Sequence, residues 1–185
     1  MAHRVCPWWL GYLLASPLRR LRYRPAQILG PFVHEGMTVL EPGPGMGFFT
    51  LELARLVGPA GRVVAVDVQP KMLAGLKRRA AKAAFLDRLD IRLVRPDSMG
   101  LANLAAAVDF TLAFAVVHEM PSARAFFLET AEVLKPNGYL LLAEPAGHVK
   151  PDEFENELES AAQAGFQVVS RPAVRGSQAA LLSKA

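Results

Sequence analysis

Cysteine is almost missing from this chain. Among 185 residues there is one, Cys6, so no internal disulfide can form and a cysteine-built metal site is excluded. The four histidines, His3, His34, His118 and His148, are scattered without ligand spacing, and no metal is expected. No segment reaches the roughly 20 apolar residues that span a bilayer. The longest apolar stretch, "FTLAFAVV", has the length of a core strand. "WWLGYLLA" is too short and bulky for a signal-peptide core, and no small-x-small site follows it. It is read as part of the folded protein, which is then expected in the cytoplasm. Repeats and low-complexity segments are lacking too, and the length suits one domain with a real core.

What the chain does have is an excess of basic residues, 21 lysines and arginines against 17 acids. They cluster in "PLRRLRYRP" and in "KMLAGLKRRAAK". The second cluster reads as a solvated helix face. The first, beside Trp8, Trp9 and Tyr12, suits either a cap helix packed on the domain or an interfacial helix making peripheral contact with a membrane.

From residue 37 onward apolar strands alternate with amphipathic helices. "MTVLEPG", "RVVAVDV", "IRLVRPD", "VDFTLAFAVV" and "YLLLAEP" read as five strands, with Pro136, Asn137 and Gly138 as the turn into the fifth. Helices follow from "FFTLELARLVG", from Pro70 through Lys82, and from "SARAFFLETAEVLK" with its serine cap. Such alternation implies right-handed crossovers and a mostly parallel, doubly wound sheet. The tail adds a helix ending at Gly165, then "FQVVSRPAV" and "SQAALLSK" joined only by Arg175, Gly176 and Ser177. A link that short makes an antiparallel hairpin, so the seven-stranded sheet is expected to finish with one reversed strand at its edge. Residues 1–36 are read as an N-terminal helical cap and 37–185 as the main domain.

The informative stretch is "VLEPGPGMGFFT" at residues 39–50. Gly43, Gly45 and Gly47 stand between a strand and a helix, where glycine permits positive φ and close approach of a ligand. In a doubly wound sheet this first turn is where ligands bind. The dinucleotide pattern G-x-G-x-x-G would need a glycine at position 48, which is Phe48. A phosphate loop would need a following Gly-Lys-Ser/Thr, which is absent. Acid-x-Gly-x-Gly-x-Gly, the acid Asp67 ending strand two, "RPDS" after strand three and "LKPNGYLLLAEP" in order resemble the class I S-adenosylmethionine-dependent methyltransferases. The resemblance runs from about residue 30 to the end.

It implies a Rossmann-like α/β fold and S-adenosyl-L-methionine as cofactor. Glu41 would lie near the amino group, Gly43, Gly45 and Gly47 along the methionine portion, Asp67 at the ribose, and Asp97 and Ser98 at the adenine, flanked by Val68 and Met99. Each acid also has a plainer reading as a helix cap or turn former. The end of strand four, "FAVVHEMP", lacks the Asn/Asp-Pro-Pro-aromatic run of nucleic-acid amino-methylating enzymes, so a small-molecule acceptor is expected and nucleic acid is not. His118 is a candidate base or orienting group, or a loop histidine satisfied by backbone. Glu119 is a second catalytic candidate and Glu144 a lining group. Trp8, Trp9 and Tyr12 are candidate acceptor contacts on a lid, or simply glue. Alternatives are an NAD(P)-dependent oxidoreductase or a cofactor-binding module without turnover.

Overall fold

The computed structural model describes residues 7–16, 19 and 22–184, with the side chains of residues 12 and 14 outside that description. In chain order the elements are α1 (Leu10–Leu14), α2 (Pro25–Leu29), β1 (Thr38–Pro42), α3 (Thr50–Val57), β2 (Arg62–Asp67), α4 (Pro70–Lys82) and β3 (Leu89–Leu93). They continue with β4 (Val108–Phe114), α5 (Ala123–Val133), β5 (Leu134–Pro145), α6 (Pro151–Gln163), β6 (Phe166–Ser170) and β7 (Ser177–Lys184). The seven strands form one sheet in the order β3-β2-β1-β4-β5-β7-β6. The chain falls into two compact units, one ending at Val94 and the other starting at Arg95.

In the first unit β1, β2 and β3 run parallel, with Leu40 beside Val64 and Ala65 beside Ile91. Val39, Leu40 and Val63 through Val66 are buried on both faces, as strands covered by crossover helices must be. α3 buries Thr50, Leu53, Ala54 and Val57, the i, i+3, i+4, i+7 face of a helix. It stops at Gly58, whose φ is 65°. α4 starts on Pro70 and ends at Lys82 as expected, and sets Leu73 and Leu76 against Ala65, Leu89 and Ile91. β3 ends at Leu93, so Asp97 stands in the following turn, closed by a bridge between Arg95 and Ser98.

In the second unit β4 and β5 are parallel and β7 is antiparallel to both β5 and β6. α5 begins where Ser122 accepts the Ala125 N–H at 3.1 Å, a side-chain N-cap. Phe127 is fully buried between Phe126 and Phe166, with ring centroids 5.0 and 6.1 Å away.

Two local expectations are corrected. Pro136-Asn137-Gly138 is not a turn ahead of β5 but a bulge inside it. Val108 pairs with Leu134 and Phe110 with Tyr139, so two steps along β4 match five along β5. Asn137 takes φ 66°, and a Cβ on Gly138 would lie 2.9 Å from Leu134 Cδ2 and 3.0 Å from the Lys135 carbonyl oxygen. The Lys135 ammonium, 2.6 Å from Asp109, ties the bulge to β4. The reversed strand is also not at the edge, since β7 lies between β5 and β6. β6 ends at Ser170, ahead of Pro172, which has no N–H to give a ladder. Arg171 pairs with Glu155 of α6 at 2.6 and 2.9 Å, and residues 171–176 make a longer link than the three residues expected.

The bulge gives a direct test. Asn137→Gly should leave stability nearly unchanged, whereas Asn137→Val should cost about 1–2 kcal/mol, because a β-branched residue resists positive φ. Urea midpoints measure both, and equal midpoints would contradict the left-handed assignment.

Candidate functional site

The first unit gathers six of the expected residues around the ends of β1 and β2. Gly43, Gly45 and Gly47 all have positive φ, 66°, 54° and 86°. The Gly43 N–H donates to Val66 of β2 and the Gly47 N–H to Pro44, each at 2.9 Å. A Cβ on Gly47 would collide with Leu76 Cδ1 at 2.5 Å, while one on Gly45 would meet nothing within 4 Å. Gly47 therefore serves packing, and Gly45 presents open peptide.

Glu41, next on β1, is 4 % exposed, and its Oε2 is buried without a hydrogen-bond partner. Burial pushes its carboxyl up to about 7. The charge of Asp67 adds to that rise, while the neighbouring Thr50 hydroxyl and the Arg19 guanidinium offset part of it. Thr50 Oγ1 is itself buried without a bond of ordinary geometry. Arg19 lies over the rings of Phe48, Tyr23 and Phe49, 4.6, 5.4 and 5.7 Å from their centroids. Asp67, buried at the end of β2, accepts the Gln69 N–H at 2.9 Å, so it also helps open α4. Val68 beside it is half-buried.

Asp97 and Ser98 belong to the second unit. Asp97 is exposed and forks onto Arg95 at 3.0 and 3.2 Å; that hydrogen bond holds its carboxyl below the usual range. Ser98 Oγ accepts the Gly100 N–H at 3.1 Å, and the buried Met99 donates its N–H to Glu129 at 2.8 Å. Within this unit the pair behaves as a turn former.

The strongest polar cluster is one the sequence placed only in part. Glu144, at the end of β5, has no exposure. Its Oε1 accepts the N–H groups of Val116 and Val117 at 3.2 and 2.8 Å, and its Oε2 lies 2.5 Å from His118 Nδ1. Ala115, at φ 56°, swings the chain off β4 into the short 3₁₀ turn Val117–Glu119 that offers those N–H groups. His118 Nε2 stands 4.0 Å from Glu119 Oε1, and the His148 ring is 5.9 Å away. Burial opposes charging His118, but the Glu144 hydrogen bond and the charges of Glu144, Glu119 and Glu157 outweigh it, and its pKa rises above 6.5.

Sequence reasoning missed Glu157. It is buried on α6, its Oε2 has no hydrogen-bond partner, and burial together with the Glu144 charge pushes it up to about 8. Helical phase was the available signal, since residues 154, 157, 158 and 161 share the buried face. Trp8 and Trp9, expected over an acceptor, are 39 % and 60 % exposed. The Tyr12 side chain lies outside the described residues. Among the described residues no group of histidines, cysteines and acids is placed to hold a metal ion, and no helix is long and apolar enough to cross a membrane.

Residues 33–178 match the model of a family described as a methyltransferase domain. An arsenite methyltransferase from Halobacterium salinarum is 30% identical over 126 residues, covering 68% of this chain and 32% of that protein. A ubiquinone biosynthesis O-methyltransferase from Bradyrhizobium diazoefficiens is 28% identical over 143 residues, covering 76% of this chain and 51% of that protein. The crystal structure of a SAM-dependent methyltransferase from Aquifex aeolicus superposes with a TM-score of 0.84 at 26% identity, over 97% of this chain and 98% of that one. The chain belongs to the methyltransferase-domain family, and the expected fold, enzyme class and S-adenosylmethionine cofactor all follow from that membership. It spans 32% and 51% of the length of those two curated relatives.

The raised carboxyls make stability depend on pH. Glu41 and Glu157 stand near 7 and 8 in the folded chain against 4.5 when free. A raised folded pKa stabilises fully below the unfolded value and loses that contribution as pH rises through the folded one. Here the loss runs from about pH 5 to 8, and His118 loses its share in the same direction above 6.5. Thermal midpoints should fall across that window, and Glu157→Gln should flatten the fall. A level wild-type profile would contradict the burial of these acids.

Proposed function

We propose that this chain transfers a methyl group from S-adenosylmethionine to a small-molecule acceptor. The observation that carries this is Glu41 Oε2, buried without a partner beside a turn of three left-handed glycines. A group with an ammonium end and no phosphate fits that chemistry: the carboxylate accepts from the ammonium, and bare peptide at Gly45 lets it approach. Bound S-adenosylmethionine supplies an electrophilic methyl on sulfur, open to in-line displacement.

The residues divide the work. Gly43 and Gly47 set the turn and Gly45 opens it. Asp67, at the end of β2, would accept from the ribose hydroxyls, since a carboxylate offers about four acceptor positions. Val68, Asp97 and Ser98 complete the proposed cofactor set. His118 is proposed as base. Glu144, which accepts from two peptide N–H groups and from the imidazole, keeps the His118 proton on Nδ1 and leaves Nε2 to take a proton from the acceptor. Glu119, near Nε2, is placed to orient that donor.

Two measurements test this. In titration calorimetry the chain should bind S-adenosylhomocysteine, with Asp67→Ala weakening binding by at least about tenfold, or 1.4 kcal/mol, and Glu41→Gln weakening it as well. No binding, or binding of NAD instead, would overturn the cofactor reading. The second is the pH profile of kcat/KM on the acceptor found by labelled-methyl transfer. Its acid limb should lie above 6.5 and move to lower pH in Glu144→Gln, and His118→Ala should lose about 10²–10⁴ in rate. An unmoved limb would remove His118 from the role of base, and binding without any methyl transfer would leave a cofactor-binding module.

A further inference from the structure

α1 has an outward face that packing does not explain. Trp9 and Leu13, four apart and so on one side of the helix, are 60 % and 65 % exposed. The opposite side is closed against the unit: a Cβ on Gly11 would lie 2.6 Å from Met72 Sδ and 3.0 Å from Met46 Cε. Trp8, 39 % exposed, lies under the ammonium of Lys71 at 4.2 Å from its ring centroid. Large apolar side chains held out to water in a group mark a surface that meets something.

α4 supplies the charge beside it. Its 13 residues include Lys71, Lys77, Arg78, Arg79 and Lys82 and no acid. Lys71, Arg78 and Lys82, spaced i, i+7, i+11, form one exposed stripe along the helix. Two observations join the stripe to α1. One is the Lys71–Trp8 contact, and the other is a cavity of about 280 Å³ lined by Ala15 at the end of α1 together with Met46, Gly75, Arg78 and Arg79. Apolar residues and cations thus share one side of the first unit.

We propose that this side docks on an anionic lipid bilayer. Trp9 and Leu13 would enter the boundary between headgroups and acyl chains, where tryptophan is favoured. Lys71, Arg78 and Lys82 would meet headgroup phosphates, and the cavity beside Arg78 has room for one. The pairing selects a membrane over a nucleic acid. Phosphodiester backbones reward the cations, but they give nothing to an aliphatic side chain such as Leu13, whereas a bilayer rewards both.

The test uses the full chain and co-sedimentation with phosphatidylcholine vesicles, with and without phosphatidylserine. Binding is expected only with phosphatidylserine present, falling with salt and accompanied by a blue shift of tryptophan emission. The double variants Trp9→Ser/Leu13→Ser and Arg78→Glu/Lys82→Glu should each weaken it by at least about tenfold. Circular dichroism and thermal midpoints should match the wild type, since all four positions are exposed. Absence of vesicle binding, binding undiminished in the Trp9/Leu13 variant, or displacement of the chain from vesicles by tRNA would each overturn the proposal. None of these readouts depends on methyl transfer.

Discussion

A carboxylate taken out of water must find hydrogen-bond donors or surrender its charge, and this fold puts that demand at the ends of three strands. Glu41 ends the apolar run of β1, Asp67 ends β2 and Glu144 lies one residue from the end of β5, all three buried. They meet the demand to different degrees. Glu144 has two peptide N–H groups and an imidazole. Asp67 has the Gln69 N–H that opens α4. Glu41 keeps one oxygen without a partner and is pushed up to about 7. A satisfied acid is part of the scaffold; an unsatisfied one is directed at something the fold itself does not supply.

Backbone geometry makes these arrangements affordable. The N–H groups that quiet Glu144 exist because Ala115 turns left-handed and ends β4 early. The open peptide beside Glu41 exists because three glycines hold positive φ in succession at alternate positions. Both are local departures from regular structure at the carboxyl ends of strands, where α/β sheets place their ligands. The relatives carry names as different as arsenite methyltransferase and ubiquinone biosynthesis O-methyltransferase, so a shared fold does not by itself fix the acceptor.

Charge is unevenly shared between the units. The second collects Glu119, Glu144 and Glu157 around His118, whose pKa the three acids raise against the effect of burial, while burial and then the Glu144 charge raise Glu157. The first carries the cationic stripe of α4 with no acid on that helix. A net charge of +4 conceals both features, since opposite excesses cancel in the sum while each still acts at short range.

Local signals were enough for much of this. The α4 boundaries, the Ser122 cap, the strand cores and the glycine turn follow from proline at a first turn, a hydroxyl before a helix, apolar runs and positive-φ glycines, all of which act within a few residues. The same applies to Glu41 and Asp67, marked by ending apolar strands. Tertiary structure alone decided the rest. Asn137-Gly138 reads as a turn in isolation and becomes a bulge because β4 and the Lys135–Asp109 pair hold both flanks in one sheet. β7 enters between β5 and β6 because strand order is a matter of pairing across the chain. Glu157 becomes a buried acid, and Asp97 an exposed one paired with Arg95, because the environment of a carboxylate is set by neighbours distant in sequence or by the shape of a turn, and neither is written in the residue itself.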